Sequence, residues 1–260
     1  ITAIADNETV LEDMSVNITV TANDSFVHTA PFSLTITNPE NGTASLLFSN
    51  QISYSPAENY NGLDSFTYTL IQGEKVSSAE VVVTIDAVND KPSIDTAAVI
   101  DAAENQTAVT NIAVSDVDVD DSLTLTLSGT DAESFDLSAG NVLSFKEAPD
   151  YESKNSYSIT LTLTDGIETV TKDITVIVTN VNDIAPEFTS ESTFSAVENQ
   201  VSIGSVTATD IEGDTIMFSI SGTELVVSPE GVLTFEAAPD YEAKASYTAT
   251  VTASDSVHTV

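Results

Sequence analysis

The sequence repeats itself with a period of about 90 residues, and this repeat constrains the fold more than any other feature. Three related motifs, which begin at Asn59, Asp150 and Asp240, lie 91 and 90 residues apart. A Val-Asn-Asp motif that begins at Val88 recurs 93 residues later, at Val181. Because a β-sandwich domain has about 100 residues, this period predicts a tandem array of two full domains and most of a third.

Two proline-containing linkers set the predicted domain boundaries. They end at Pro92 and Pro186 and divide the chain into residues 1–92, 93–186 and 187–260. Val260 aligns with Val170 of the second repeat, which continues through a further strand at residues 173–179. We therefore expect the third domain to lack its last strand.

Within each repeat, apolar residues alternate with polar ones. Leu123, Leu125 and Leu127 alternate with threonine and serine, and the same step continues elsewhere in the repeats at residues 157–163 and 247–253. A period of two residues, rich in Thr, Val and Ile, is typical of strands with one buried face. No segment has a helical period, so the predicted fold class is all-β, with Greek-key β-sandwich domains.

The charge balance excludes several function classes. The chain has 41 acidic residues, six lysines and no arginine, which gives a net charge of −35. Binding to nucleic acid or to anionic lipid needs a basic surface that this chain lacks. No apolar run reaches the roughly 18 residues of a membrane-spanning helix. The absence of cysteine excludes disulfides and zinc–thiolate sites. Such a negative folded chain repels itself unless cations neutralise it, and a divalent metal is the obvious candidate.

No single loop provides a calcium site. The run that begins at Asp116 starts like an EF-hand loop, but Asp121 replaces its glycine and Leu127 replaces its final glutamate. Because calcium takes six to eight oxygen ligands, the ligands must converge from separate segments.

From residue 93 onward, the acidic motifs resemble those of the cadherin repeat. That family binds calcium between successive domains through a Glu near the first strand, a DRE-like motif, a DxNDxxPxF linker, and a DxD motif with a late Asp in the following domain. This chain departs from the pattern at Asn180 and Glu212, which replace two aspartates. For the second junction, the resemblance implies calcium ligation by Glu104, Asp150, Glu152, Asn180, Asn182, Asp183, Asp210, Glu212 and Asp255.

The first repeat instead resembles the bacterial tandem Ig-like repeats of large surface adhesins, through motifs such as Glu12-Asp13 and Asn23-Asp24. Phe26 occupies the position of the second DxD acid. We expect the first junction to bind fewer or weaker ions, with Asp64 as a further candidate ligand. The metal-ligand set predicted there is Glu12, Asn89, Asp90, Asp116, Asp118 and Asp165.

These patterns favour one function and leave a second open. The leading hypothesis is an extracellular spacer or adhesion module of a large bacterial surface or secreted adhesin, made rigid by Ca²⁺ at its junctions. Its expected partners are neighbouring repeats of the same chain, with homophilic contacts or surface polysaccharide as further possibilities. The alternative is a module that binds polysaccharide or another cell-surface ligand. We do not expect an enzyme, because neither His28 nor His258 lies in a nucleophile motif and the chain has no phosphate-binding glycine loop.

Overall fold

The computed structural model describes residues 1–48, 50–119 and 121–260. Asp120, which belongs to the rejected EF-hand-like run, lies outside the described residues. The described chain is built of strands, with one short 3-10 helix at Ala132–Ser134. No helix in the described ranges is long and apolar enough to cross a membrane.

The chain divides into two compact units. Unit 1 comprises Ile1–Ser93, Ser115–Thr124 and Thr164–Val170. Unit 2 comprises Ile94–Val114, Leu125–Leu163 and Thr171–Val260. Unit 1 thus includes two short segments of the predicted second repeat, and these segments carry part of its acidic motifs. The three-domain division at Pro92 and Pro186 stays a prediction.

Seven strands of unit 1 form two sheets. One sheet has the order β1-β7-β6-β3 and the other has the order β2-β5-β4. β1 runs parallel to β7, whereas β6 runs antiparallel to β7. The strands are β1 (Asp6–Leu11), β2 (Val16–Ile18), β3 (Ser33–Ile36), β4 (Gly42–Leu46), β5 (Ile52–Pro56), β6 (Gly62–Gln72) and β7 (Lys75–Asp86).

Five of the described strands cross a boundary between the units along the chain: the short strands β8 (Ser93–Ile94) and β11 (Val114–Ser115), and three of the strands that follow, at residues 124–128, 156–164 and 169–179. The next strands are β9 (Val99–Ala103), β10 (Ala108–Asn111), β12 (Thr124–Ser128), β13 (Phe135–Leu137), β14 (Val142–Phe145), β15 (Ser156–Thr164) and β16 (Thr169–Thr179). The sheets have the orders β10-β14-β13 and β12-β15-β16-β9. β9 runs parallel to β16, as β1 does to β7.

The remaining strands of unit 2 form smaller sheets. They are β17 (Glu187–Phe188), β18 (Ser202–Ser205), β19 (Ala208–Thr209), β20 (Met217–Ile220), β21 (Leu225–Val227), β22 (Val232–Phe235) and β23 (Val251–Ser254). β17 pairs with β19, β20 pairs with β23, and β18, β22 and β21 form a three-stranded sheet.

The alternating patterns explain these strands. In β15 from Ile159 and in β16 from Ile174, every second residue is buried, and Leu161 and Val176 are fully enclosed. The predicted all-β fold class is therefore confirmed. The strand predicted over residues 247–253 is shorter, because β20 has only four residues and pairs only with Val251–Ser254.

Asp6 and Asp24 form a pair of acidic side chains in unit 1. Asp24 is 9% exposed and accepts hydrogen bonds from the Tyr68 hydroxyl (2.6 Å) and the Ile4 N–H (2.8 Å). Burial, and after it the negative charge of Asp24, raises the pKa of Asp6 from 3.8 to about 6. Asp6 is therefore a carboxylate whose ionisation the fold disfavours.

This raised pKa predicts a pH-dependent stability. Without divalent metal, the contribution of Asp6 to stability is full below its unfolded pKa near 3.8 and is lost as the pH rises through about 6. The variant Asp6→Asn should be more stable than the wild type at pH 7, with an advantage that shrinks towards pH 4. Urea unfolding in EDTA at several pH values measures this. A difference between the two proteins that stayed constant from pH 4 to 7 would contradict the assignment.

Candidate metal centres

In each predicted repeat, a glutamate is followed by a residue with left-handed backbone. The pairs are Glu12 with Asp13 (φ 59°), Glu104 with Asn105 (φ 62°) and Glu198 with Asn199 (φ 63°). Among residues other than glycine, aspartate and asparagine adopt this conformation most readily. The sequence therefore encodes a sharp turn directly after each glutamate.

The first acidic cluster consists of Glu12, Asp90, Asp116, Asp118 and Asp121 and lies within unit 1. Glu12 is only 3% exposed, and its Oε1 accepts a hydrogen bond from the Val88 N–H in the linker. Carboxylate oxygens of Glu12, Asp90 and Asp118 all lie within 4.8 Å of one another, as do those of Asp116, Asp118 and Asp121. The strand end and the linker thus converge on one group of oxygens.

Side chains from the predicted second repeat complete this first cluster. Asp118 Oδ2 accepts a hydrogen bond from the Asp90 N–H (2.7 Å), and Asp116 Oδ1 accepts one from the Asp118 N–H (3.0 Å). Asn89 donates its side-chain N–H to Asp165 Oδ2 (3.0 Å). All six residues predicted for the first junction therefore belong to one contact network.

The second acidic cluster consists of Glu104, Asp150, Glu152, Asp183 and Glu212 and lies within unit 2. Glu104 is 3% exposed. Its Oε1 accepts a hydrogen bond from the Val181 N–H (2.7 Å), and its Oε2 accepts one from the Tyr151 N–H (2.8 Å). Its carboxylate lies within 4.8 Å of both the Asp183–Glu212 pair and the Asp150–Glu152 pair.

The linker also contacts the acidic motif that follows it in unit 2. Glu212 accepts hydrogen bonds from the Asp183 N–H (3.2 Å) and the Ile184 N–H (2.9 Å). Asp210 Oδ1 in turn accepts one from the Glu212 N–H (2.9 Å). Glu212 thus occupies the place that Asp118 has in the first cluster.

Asn182 and Asp255 lie beside these contacts and share a histidine. His258 Nδ1 lies 3.0 Å from Asn182 Oδ1 and 3.2 Å from Asp255 Oδ2. Burial alone would raise the pKa of Asp255, but hydrogen bonds from the His258 and Val257 N–H groups keep it below its usual value. Asn180 is exposed after β16. Its predicted role as a ligand stays a prediction.

Several carboxylate oxygens in these clusters and beside them are buried without a hydrogen-bond partner among the described residues. They are Asp90 Oδ2, Asp116 Oδ2, Asp210 Oδ2, and both Oε atoms of Glu152. Burial raises the pKa of Asp90, and the charges of Asp118, Asp13, Glu12 and Asp116 raise it further. Burial likewise raises the pKa of Glu152. A buried carboxylate without a hydrogen-bond partner or counter-ion costs free energy, and a bound cation would reduce that cost.

Other predicted ligands are already engaged. The Asn89 side chain and the N–H groups of Ile167 and Glu168 lower the pKa of Asp165. Hydrogen bonds from Ser153 lower that of Asp150. Asp64, the further candidate at the first junction, accepts hydrogen bonds from the Tyr54 hydroxyl and from the Glu40 and Asn41 N–H groups, so its oxygens serve the structure of unit 1.

The sequence reasoning missed a third acidic group and His258. Glu198, Asp240 and Glu242 bring carboxylate oxygens within 4.8 Å of one another, and Glu198 accepts a hydrogen bond from the Tyr241 N–H (2.9 Å). This contact repeats the one between Glu104 and Tyr151. The 90-residue period could have revealed this group. No repeat signal marks His258, because its role depends on how residues far apart in sequence meet.

The donor set fits a divalent cation. The clusters offer only oxygen ligands of the kind that Ca²⁺ prefers. Among the described residues, the lysine ion pairs involve Glu168, Asp131 and Glu224, and none of these acids belongs to either cluster. In the described part of the chain, no lysine ion pair therefore involves one of the unpartnered oxygens.

Comparisons with known proteins agree with this architecture. Residues 1–86 match the family model for the bacterial Ig domain. Mouse clustered PcdhgC3 EC1-3 has a similar fold, with a TM-score of 0.57 and 20% identity over 81% of this chain and 80% of that chain. Human CDH23 EC21-23 has a TM-score of 0.55 and 18% identity over 98% of this chain and 93% of that chain. The chain therefore has the fold of cadherin repeats, preceded by an Ig-like repeat, as the motifs predicted.

One relative is an enzyme. Chitinase A of Pseudoalteromonas piscicida is 33% identical over 174 residues, which are 66% of this chain and 21% of that protein. The chain thus spans about a fifth of the length of this curated relative.

The two hydrogen bonds to Glu104 yield a prediction. Glu104→Gln should destabilise unit 2 by about 1–3 kcal/mol even in EDTA, because the new amide NH₂ faces an N–H that loses its acceptor. The exposed Glu147→Gln in the same predicted repeat removes the same charge and should change little. Urea unfolding measures both variants. Equal stability of the two would show that the linker contacts of Glu104 carry no net stabilisation.

Proposed function

We propose that this chain is a spacer and adhesion module of a large extracellular bacterial protein, in which Ca²⁺ bound at the two acidic clusters stiffens the linkers between repeats. The observation that carries this proposal is a repeated contact. In both clusters, a buried glutamate accepts a hydrogen bond from a linker valine, Val88 or Val181, and unpartnered carboxylate oxygens gather beside it.

The buried glutamates and the linker aspartates have different roles in this proposal. Glu12 and Glu104 hold the linker against the strand end, and the neighbouring Asp90 and Asp183 add charge from the linker itself. When bound, Ca²⁺ supplies the positive charge that several carboxylates share. Linkers between small domains are otherwise mobile, so oxygens from both sides of a linker that share one cation restrict its motion.

The numbers of unpartnered carboxylate oxygens favour unequal calcium affinities at the two clusters. In the second cluster and the adjoining Asp210 and Asp214, four buried oxygens lack a partner among the described residues, whereas in the first cluster two do. More uncommitted carboxylate oxygens favour tighter calcium binding. We therefore infer that the second cluster fills at lower calcium concentration than the first.

Calcium should stabilise and stiffen the chain. Because Ca²⁺ binds only the folded form, a free concentration about 100 times its Kd adds about 2.7 kcal/mol of stability. We expect a higher melting temperature, and small-angle scattering with a narrower distribution of interatomic distances, in Ca²⁺ than in EDTA. Asp183→Asn should remove most of the scattering change.

The exposed Asp136→Asn is the matched control and should behave like the wild type, because Asp136 lies on β13 outside both clusters. If melting and scattering of the wild type are the same in Ca²⁺ and EDTA, calcium has no structural role here. If Asp183→Asn stiffens like Asp136→Asn, the assignment of Asp183 is wrong.

The chitinase relative favours a second candidate function, in which the module holds a larger protein on a polysaccharide. The sequence has no tryptophan, which removes the aromatic side chain most suited to stacking on sugars. Under the spacer proposal, the chain should stay in solution when mixed with chitin, with or without Ca²⁺. Retention on chitin that free oligosaccharide competes away would favour the polysaccharide function instead.

A further inference from the structure

Asp6 and Asp24 belong to neither acidic cluster. Asp6 begins β1, and Asp24 follows β2 in a loop of unit 1. A bridge between Thr2 and Ser25 holds the start of the chain against this loop, with N–H···O distances of 2.8 and 2.9 Å. The two carboxylates thus sit where the first segment of the chain meets a loop of the same sandwich.

Hydrogen bonds hold one carboxylate oxygen of Asp24, and its other oxygen has no partner among the described residues. It is nine-tenths buried, and its Oδ1 accepts hydrogen bonds from the Ile4 N–H and the Tyr68 hydroxyl. The Tyr68 hydroxyl also lies near the carbonyl oxygens of Ile4 (3.0 Å) and Val20 (3.2 Å), but it has only one hydrogen to donate. Asp24 Oδ2 is buried and has no hydrogen-bond partner among the described residues.

Asp6 presents the same feature from the opposite segment. Its Oδ2 is buried and likewise has no hydrogen-bond partner in the described part of the chain. The Asn23 side chain interacts favourably with the Asp6 carboxylate, whereas the negative charge of Asp24 opposes its ionisation. The Asn23 side chain also donates to the Ala5 carbonyl oxygen (3.2 Å), so the segment before Asp6 lies against the loop that carries Asp24. Each of these two acids has one buried oxygen without a partner, and no lysine contacts either of them among the described residues.

We propose that Asp6 and Asp24 form a further calcium site, closed within the first sandwich and separate from the linker clusters. The site differs from the cadherin arrangement: Asp24 stands at the first position of the DxD motif, but Phe26 replaces its second acid and Asp6 lies outside every motif position. Two carboxylates leave the remaining coordination to neutral oxygens or water, so the expected Kd lies in the weak range of about 0.1–1 mM known for extracellular modules. Bound calcium would tie β1 to the loop around Asp24.

Site-resolved titration tests this proposal on the full chain. The Ile4 amide reports on Asp24, whereas the Val88 and Val181 amides report on Glu12 and Glu104. In ¹⁵N–¹H NMR spectra, Ca²⁺ added to about 10 mM, well above the expected Kd, should shift the Ile4 amide of the wild type in a saturable way. In Asp6→Asn this shift should disappear, while Val88 and Val181 still respond.

Glu8→Gln is the matched control, because it removes the same charge from the same strand, two residues away. It should keep the calcium-dependent shift of Ile4. The proposal is overturned if Ile4 responds to pH but not to Ca²⁺, since the pair then holds only a shared proton. It is also overturned if Asp6→Asn keeps the shift. Because Val88 and Val181 report separately, loss of the linker sites would not be mistaken for loss of this one.

Discussion

The glutamate-to-linker hydrogen bond is the contact on which the rest of the architecture depends. Glu12 and Glu104 are both 3% exposed and accept hydrogen bonds from linker N–H groups 76 and 77 residues further along the chain. This contact ties the end of the first strand of a repeat to the linker at its far end. It also places a buried negative charge beside the linker aspartates, which would otherwise move apart by repulsion. The contact that holds the linker therefore also brings negative charges together, and this repulsion is an electrostatic cost that a bound cation would offset.

Much of the fold and of the two acidic clusters could be predicted from the sequence, because the chain carries related motifs three times. The two-residue period predicted β15 and β16, and the resemblance to the cadherin repeat implied that Glu104 and Asp183 belong to one site, where the structure places their carboxylate oxygens within 4.8 Å of one another. Sequence could not say which oxygens are free. Asp150 and Glu152 belong to the same motif, yet Ser153 engages the first, while both oxygens of the second lack a partner among the described residues. That difference depends on local backbone geometry, which motif matching does not contain.

The residues missed by sequence reasoning share a physical cause. His258 contacts Asn182, which lies 76 residues earlier in the chain. Within unit 1, the negative charge of Asp24 helps to raise the pKa of Asp6. Neither pair recurs at the repeat period, since both depend on features of a single repeat. Asp64 is the converse case: its acidic character suggested a ligand, but the Tyr54 hydroxyl and two backbone N–H groups use its oxygens for folding. Burial together with an oxygen that lacks a partner, as at Asp90 and Glu152, therefore identifies a candidate ligand better than acidic character alone.

The lysines of this chain are weaker partners for its clustered carboxylates than a divalent ion from solution would be. A lysine neutralises one carboxylate at the end of a flexible stem, and an exposed pair of this kind contributes little. The exposed contact of Lys91 with Glu168, at 3.7 Å, is such a pair. A divalent ion carries twice the charge, has no stem and accepts oxygens from several segments at once. Because the chain has a net charge of −35 and buried carboxylates near the linkers, the proposed function predicts that the stability of the folded chain increases with the calcium concentration. Under that proposal, the repulsion among these carboxylates is also the reason that added calcium would stiffen the chain.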